Sequence, residues 1–319
     1  MKTEVIRLYE NRDDVTLTTY ILQDSPELLA GKTRPAVIIC PGGGYFSCSD
    51  REAEPIALKF ASEGYHTFVL RYSTYSEGGS FPDLSKPLPI NENSMYPNAM
   101  REIGKAMLII REHAVEWLVD SDRIAVCGFS AGGHNAAMYA TRWHDDIISE
   151  YFHEDKAKFR PAAAILGYPL TDYIYKRDSE AKRGASDQIF FKASDRAFLG
   201  VEAPEEDLLE EVSPARYVTE NTPPTFLWAT SEDELVPVQH SLIMARALAE
   251  KKVPFEIHIF EKGPHGLAAA DPTSAEAKSQ VYPDAAKWVE LAGCWLEKRF
   301  ALPLPEKSKF EEMLERGLI

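Results

Sequence analysis

The segment Arg123-Ile124-Ala125-Val126-Cys127-Gly128-Phe129-Ser130-Ala131-Gly132-Gly133 constrains the fold more than any other part of the 319-residue chain. An apolar, β-branched run passes through Gly-x-Ser-x-Gly into a helical stretch beginning His134-Asn135-Ala136-Ala137. A strand that turns straight into a helix brings two backbones too close for a Cβ two residues before or after the serine, and Gly128 and Gly132 leave that room. Ser130 then stands at a helix amino terminus above a sheet, where free N–H groups and the helix dipole favour developing negative charge. The competing reading is a tight glycine turn with a capping serine. The strand before it and the helix after it favour a nucleophile elbow.

The rest of the chain has the texture that such an elbow needs. Glu4–Tyr9 and Val15–Leu22 alternate apolar and polar residues around a turn containing Asn11, Asp13 and Asp14, which predicts an antiparallel hairpin. Short apolar runs follow at Ala36–Cys40, Thr67–Leu70, Arg123–Cys127, Ala162–Leu166, Thr225–Thr230 and Phe255–Phe260, as expected of parallel strands covered on both faces. Helical spacing occupies Arg51–Glu63, Met95–Ala114, Ala131–Trp143, Val238–Lys251 and Asp284–Phe300. The expectation is a single α/β domain over 1–319: a mostly parallel central sheet, an antiparallel amino-terminal hairpin and helices on both faces.

Two excursions break the rhythm, at Ser73–Asn93 and at 171–222, and ligands bind where such loops leave the carboxyl ends of strands. The second reads as a cap or substrate loop. It carries Lys176, Arg177, Asp178, Glu180, Lys182, Arg183, Asp187 and Asp195 among the aromatics Tyr173, Tyr175, Phe190 and Phe191, which suits a polar rim with aromatic walls. The tail 303–319 places Phe310, Met313, Leu314 and Leu318 at helical spacing, predicting a last helix docked on the body or on a second copy in a homo-oligomer.

A serine hydroxyl is a weak nucleophile and needs a base oriented by an acid, in the chain order serine, acid, histidine for this kind of elbow. Of eight histidines, His66, His113, His134, His144 and His153 lie before or too near the serine, on regular elements or in mid-chain. His134, one helical turn past Ser130, reads as a structural residue beneath the elbow. His258 alternates within a strand and His240 starts a helix. His265 remains, between Gly263 and Gly266 in the loop after the last strand. The acid belongs after Thr225–Thr230, where Glu232, Asp233 and Glu234 crowd together and spacing alone does not choose. Asp233 has the shorter side chain suited to a fixed bond with an imidazole, whereas Glu232 and Glu234 read as solvated helix-entry charges.

A tetrahedral intermediate needs convergent N–H donors. Ala131, after the nucleophile, is one candidate, and Gly42-Gly43-Gly44 after the first core strand can supply others.

Pro41-Gly42-Gly43-Gly44-Tyr45, Gly128-Phe129-Ser130-Ala131-Gly132-Gly133-His134, Asp233-Glu234-Leu235-Val236-Pro237 and His265-Gly266 together resemble an α/β-hydrolase of the hormone-sensitive-lipase-like and acetyl-xylan-esterase-like kind, over about Ala30 to Phe300. The resemblance implies Ser130, Asp233 and His265 as a catalytic triad, Gly43, Gly44 and Ala131 as the oxyanion hole, and Tyr45 as a substrate-binding residue. The lipase branch has histidine before its glycines; Pro41 here is similar to bacterial esterases of small acyl groups. The function implied is a serine carboxylesterase for short-chain, chiefly acetyl, esters, including those of carbohydrates such as xylan fragments. A peptidase or arylformamidase using the same triad, or a silent binding protein on the same fold, are the rivals.

Composition narrows the partners. Thirty-five Lys+Arg against 50 Asp+Glu give a net charge of −15, which repels phosphate backbones and anionic lipid, so neither nucleic acid nor membrane is an expected partner. A small-molecule or oligosaccharide ester is. No His-Glu-x-x-His, Walker or Gly-x-Gly-x-x-Gly pattern occurs, so no metal and no cofactor is expected, and His144-Asp145-Asp146 reads as a solvated helix end. Cys40, Cys48, Cys127 and Cys294 lack Cys-x-x-Cys spacing and read as structural thiols, and the charged amino terminus lacks an apolar leader; a cytoplasmic location follows as the expectation.

Overall fold

A computed structural model describes residues 1–318, with the backbone alone described at 185–187. Eight strands form one sheet: β1 (Lys2–Tyr9), β2 (Arg12–Ile21), β3 (Arg34–Cys40), β4 (His66–Arg71), β5 (Val119–Phe129), β6 (Ala163–Gly167), β7 (Thr225–Thr230) and β8 (Phe255–Phe260). Their order is β1-β2-β4-β3-β5-β6-β7-β8. β1 and β2 pair antiparallel, β2 runs antiparallel to β4, and every pair from β4 to β8 is parallel. This is the α/β-hydrolase arrangement that the sequence implied.

Period-two alternation sorts the buried strand residues into two cores. Ala36, Ile38, Cys40, Ile124 and Val126 face one side, against Met100, Ile103, Met107 and Ile110 of helix Asn98–Glu112 and Met138 and Tyr139 of helix Ser130–Arg142. Val37, Ile39, Ala125, Cys127 and Phe129 face the other, against Phe60 of helix Glu54–Ser62 and Trp288, Trp295 and Leu296 of helix Trp288–Phe300. All seven residues of β3 are buried, so this strand shows no polar alternation in sequence. Cys40 and Cys127 lie within these cores, and all four cysteines are free thiols.

Several boundaries differ from expectation for local reasons. The hairpin turn is only Glu10-Asn11, because Arg12 starts β2 and its guanidinium grips Asp14 within the strand, at 3.1 Å and 2.5 Å. Proline sets two helix starts: Glu54–Ser62 has Pro55 in its first turn, and Asn98–Glu112 follows Pro97. The last expected helix is two, Pro283–Ala286 and Trp288–Phe300. The excursion 171–222 folds into helices Tyr173–Glu180, Ala185–Leu199 and Glu206–Glu211, with Tyr173, Ala197, Phe198, Leu209 and Val212 in a third apolar cluster shared with Tyr45, Phe46 and Val236.

The tail forms helix Lys309–Glu315, but Phe310, Met313, Leu314 and Leu318 are exposed; docking of this apolar stripe on the body is corrected. Lys309 reaches the Pro26 carbonyl, at 2.9 Å. Ile319 of the expected tail lies outside the described residues. Among the described residues no helix is long and apolar enough to cross a membrane.

Candidate active site

β5 delivers Ser130 to the carboxyl end of the sheet. Ser130 has φ +51°, a left-handed backbone that a non-glycine residue adopts only where its surroundings enforce it. The enforcing contacts are main chain: a Cβ on Gly128 would stand 2.2 Å from the Gly132 carbonyl oxygen, and one on Gly132 would stand 2.2 Å from the carbonyl oxygens of both Cys40 and Pro41. The glycines thus bring the helix down onto β5 and the serine turn down onto the end of β3.

His265 and Asp233 come from the loops after β8 and β7. His265 Nε2 lies 2.7 Å from Ser130 Oγ and its Nδ1 lies 2.6 Å from Asp233 Oδ2. With the proton on Nδ1, His265 donates to the carboxylate and accepts from the serine hydroxyl. The Asp233 side chain is 1 % exposed. Its Oδ1 accepts from the N–H groups of Leu235 and Val236, at 3.0 and 2.9 Å, which leaves Oδ2 for the imidazole. Glu232 turns to Lys262, at 2.7 Å, and Glu234 is exposed. The three residues singled out as a triad are therefore within hydrogen-bond reach of one another in the required order.

The glycine loop lies beside the serine. A Cβ on Gly42 would stand 2.9 Å from Ser130 Cβ, and one on Gly43, whose φ is +137°, would stand 2.1 Å from the Ser47 carbonyl oxygen. Among the described residues, the N–H groups of Gly43, Gly44 and Ala131 have no acceptor, whereas Gly42 N–H donates to the Glu52 carboxylate. Three free donors and a nucleophile thus share one corner.

Tyr45 lines the cavity; its hydroxyl lies 3.0 Å from His134 Nδ1 and accepts from the Tyr173 hydroxyl at 2.9 Å, so its proton is committed within the protein. His134 donates from Nε2 to the Val212 carbonyl at 2.8 Å, and burial holds its pKa down to about 4. It is a neutral strut between the elbow helix and the excursion, as its place beneath the elbow suggested.

Ser130 and His265 open onto a cavity of about 260 Å³. Its apolar walls are Phe81 from the first excursion, Phe190 and Phe191 from the second, and Leu170, Leu235 and Val236. Tyr173 is buried beneath and Tyr175 packs edge-on against His240, so two of the four aromatics noted in that excursion reach the cavity. Of its charges, Lys176 also lines the cavity, neutralised by Asp195 at 2.8 Å; Arg177 and Asp178 pair at the surface; the Asp187 side chain lies outside those described.

Two side chains escaped sequence reasoning. Glu52, 4 % exposed, lies in a short turn that helical spacing had absorbed into one long helix, and Tyr168 follows β6. Spacing carries no signal for either, because they bond each other across 116 residues of chain.

The BD-FAE family matches residues 26–248. Endo-1,4-beta-xylanase B of Butyrivibrio fibrisolvens is 32 % identical over 238 residues, which cover 75 % of this chain and 33 % of that protein. The structure of the carboxylesterase Cest-2923 from Lactobacillus plantarum WCFS1 superposes with a TM-score of 0.76 at 29 % identity, covering 96 % of this chain and all of that one. An acetyl ester-xyloside bifunctional hydrolase from Caldicellulosiruptor lactoaceticus gives a TM-score of 0.69 at 31 % identity, covering 92 % and 96 % of the two chains. The chain spans about a third to a half of the curated relatives it matches first. With a match over more than half its length and the sheet order and elbow described above, the chain belongs to the BD-FAE family of α/β-hydrolases.

Proposed function

We propose that the protein is a serine carboxylesterase that hydrolyses short-chain, chiefly acetyl, esters through an acyl-enzyme on Ser130. The observation that carries this reading is the position of His265, whose two ring nitrogens lie 2.7 Å from Ser130 Oγ and 2.6 Å from Asp233 Oδ2.

Ser130 Oγ attacks the ester carbonyl carbon as His265 Nε2 takes its proton, and the carbonyl oxygen becomes an oxyanion facing the N–H groups of Gly43, Gly44 and Ala131. Collapse of this intermediate breaks the bond to the alkoxy oxygen, which leaves as alcohol with the proton from Nε2. Water then enters, gives a proton to Nε2 and attacks the acyl carbon. The second collapse returns the proton to Ser130 Oγ and releases the carboxylic acid. Asp233 fixes the tautomer and stabilises the imidazolium.

The small aromatic-walled cavity supports a short acyl group. The relatives named for xylan chemistry, endo-1,4-beta-xylanase B and the acetyl ester-xyloside hydrolase, support a carbohydrate on the alcohol side. A p-nitrophenyl series from acetate to octanoate, beside acetylated xylooligosaccharides and an N-formyl arylamide, tests the reading. The expected result is fastest turnover of acetyl or propionyl esters and release of acetate from the oligosaccharides. Absence of ester turnover with cleavage of the amide would replace it by the amidase reading.

A further inference from the structure

Glu52 is a buried carboxylate with no cationic partner among the described residues. Its Oε2 accepts from Gly42 N–H at 2.7 Å, and its Oε1 accepts from the Tyr168 hydroxyl at 2.5 Å. The same hydroxyl accepts from Ala268 N–H at 2.9 Å, three residues past His265. The Tyr168 ring also packs edge-on against the His265 imidazole, with centroids 5.0 Å apart and planes at 71°. One chain of three hydrogen bonds therefore joins the glycine loop to the histidine loop.

We infer that Glu52 and Tyr168 form a clamp that positions the oxyanion-hole loop and the base loop relative to each other for catalysis. The inference rests on the esterase reading above, since it gives the clamp something to position.

Each loop is anchored to its own surroundings, the first where the Tyr72 hydroxyl donates to the Pro41 carbonyl and the second where Trp288 Nε1 donates to the Ala268 carbonyl, whereas the Glu52–Tyr168 chain runs from one loop to the other. Gly43 and Gly44 hold positive φ values of +137° and +62°, and Gly263 and Gly266 do so around His265, at +132° and +77°. Backbone of that kind is permissive, so its position must be fixed from outside. Glu52 is suited to this because it is rigidly seated: the Gly42 carbonyl accepts from Ser49 N–H at 2.8 Å, one residue before the turn Asp50–Glu52. A Cβ on Gly42 would stand 2.8 Å from Glu52 Oε2, so the carboxylate lies directly against the loop it holds. Tyr168 is a neutral donor, its hydroxyl kept protonated by burial and then by the charge of Glu52. A carboxylate also suits the position because it accepts from both sides at once. An amide would present an N–H to one of them and leave the Tyr168 proton without an acceptor.

Displacing a catalytic group by about 1 Å costs up to about 100-fold in rate. The test is steady-state kinetics of full-length Glu52→Gln, Tyr168→Phe and the double variant on p-nitrophenyl acetate, with thermal midpoints and fluorophosphonate labelling alongside. The expected result is a fall in kcat of about 10- to 100-fold in each single variant with KM within about threefold, and a double variant no worse than the poorer single, as for two parts of one link. If either single variant fails to fold, the other carries the same expectation. Single variants with wild-type kcat, losses confined to KM, or a double variant whose losses multiply would overturn the clamp. Labelling separates this from failure of the esterase reading: wild-type protein that turns over and labels at Ser130 keeps that reading whichever way the variants fall.

Discussion

Asp233 Oδ2 faces His265 Nδ1 at 2.6 Å because its other oxygen is occupied by the N–H groups of Leu235 and Val236. The loop thereby selects one of three adjacent carboxylates. Asn at 233 retains an acceptor for the loop but loses the charge and tautomer control at His265, so Asp233→Asn should lower kcat by about 10⁴-fold. Glu232→Gln and Glu234→Gln should stay within a few-fold of wild type. Equal losses at all three positions in a p-nitrophenyl acetate assay would mean that the field of the loop, and not one bond, matters.

Tyr45→Phe removes a hydroxyl shared by His134 and Tyr173 and leaves both without that partner inside the protein. The expected cost is about 1–3 kcal/mol in denaturant unfolding, with KM for small esters unchanged. A raised KM at unaltered stability would return Tyr45 to the ligand-contacting role suggested by its place in the glycine run.

Glu102 gives the stability a pH signature. It is fully buried, accepts from the Ser73 N–H at 2.7 Å and from the Ser73 hydroxyl, and burial pushes its pKa from 4.5 up to about 7 against the pull of those bonds and of Arg12. Between these values the folded protein binds more protons at this group than the unfolded chain does. Its contribution is therefore complete below about 4.5 and is lost as the pH rises through about 7. Glu102→Gln cannot titrate, so its stability relative to wild type should improve from pH 5 to pH 8, by on the order of 1–3 kcal/mol. Urea unfolding at both values checks this; a difference independent of pH would contradict it.

Phe190 closes the cavity against the glycine loop: a Cβ on Gly44 would lie 3.1 Å from Phe190 Cζ. Wild-type kcat/KM should therefore peak at acetyl or propionyl and fall by hexanoyl. Phe190→Ala should move the peak to longer chains, each accommodated methylene contributing about 0.8 kcal/mol. An unchanged profile in the variant would show that Phe190 does not bound the acyl group.

How much of this was legible in the sequence follows the range of the interactions involved. β7 and β8 end where their apolar runs end, and the elbow could be read because its steric demand falls on Gly128 and Gly132, a few residues from Ser130. His265 was found by its place after the last strand between two glycines. Asp233 needed a preference among neighbours, because main-chain donors that no spacing reveals orient it. Glu52 and Tyr168 were invisible, since residues 116 apart meet only once the sheet is assembled. The tail shows the reverse failure: an amphipathic stripe predicts a helix but does not supply the surface that would bury it, and Phe310 and Leu318 remain exposed.

The identity of the acylated residue tests the proposed chemistry most directly. A fluorophosphonate probe followed by tryptic peptide mapping should give a single adduct in the peptide Ile124–Arg142, on Ser130, with loss of esterase activity in proportion to labelling. Ser130→Ala should take no label and lose several orders of magnitude in kcat while remaining folded. A label on another residue, or near-normal turnover by Ser130→Ala, would contradict the assignment of Ser130 as the nucleophile.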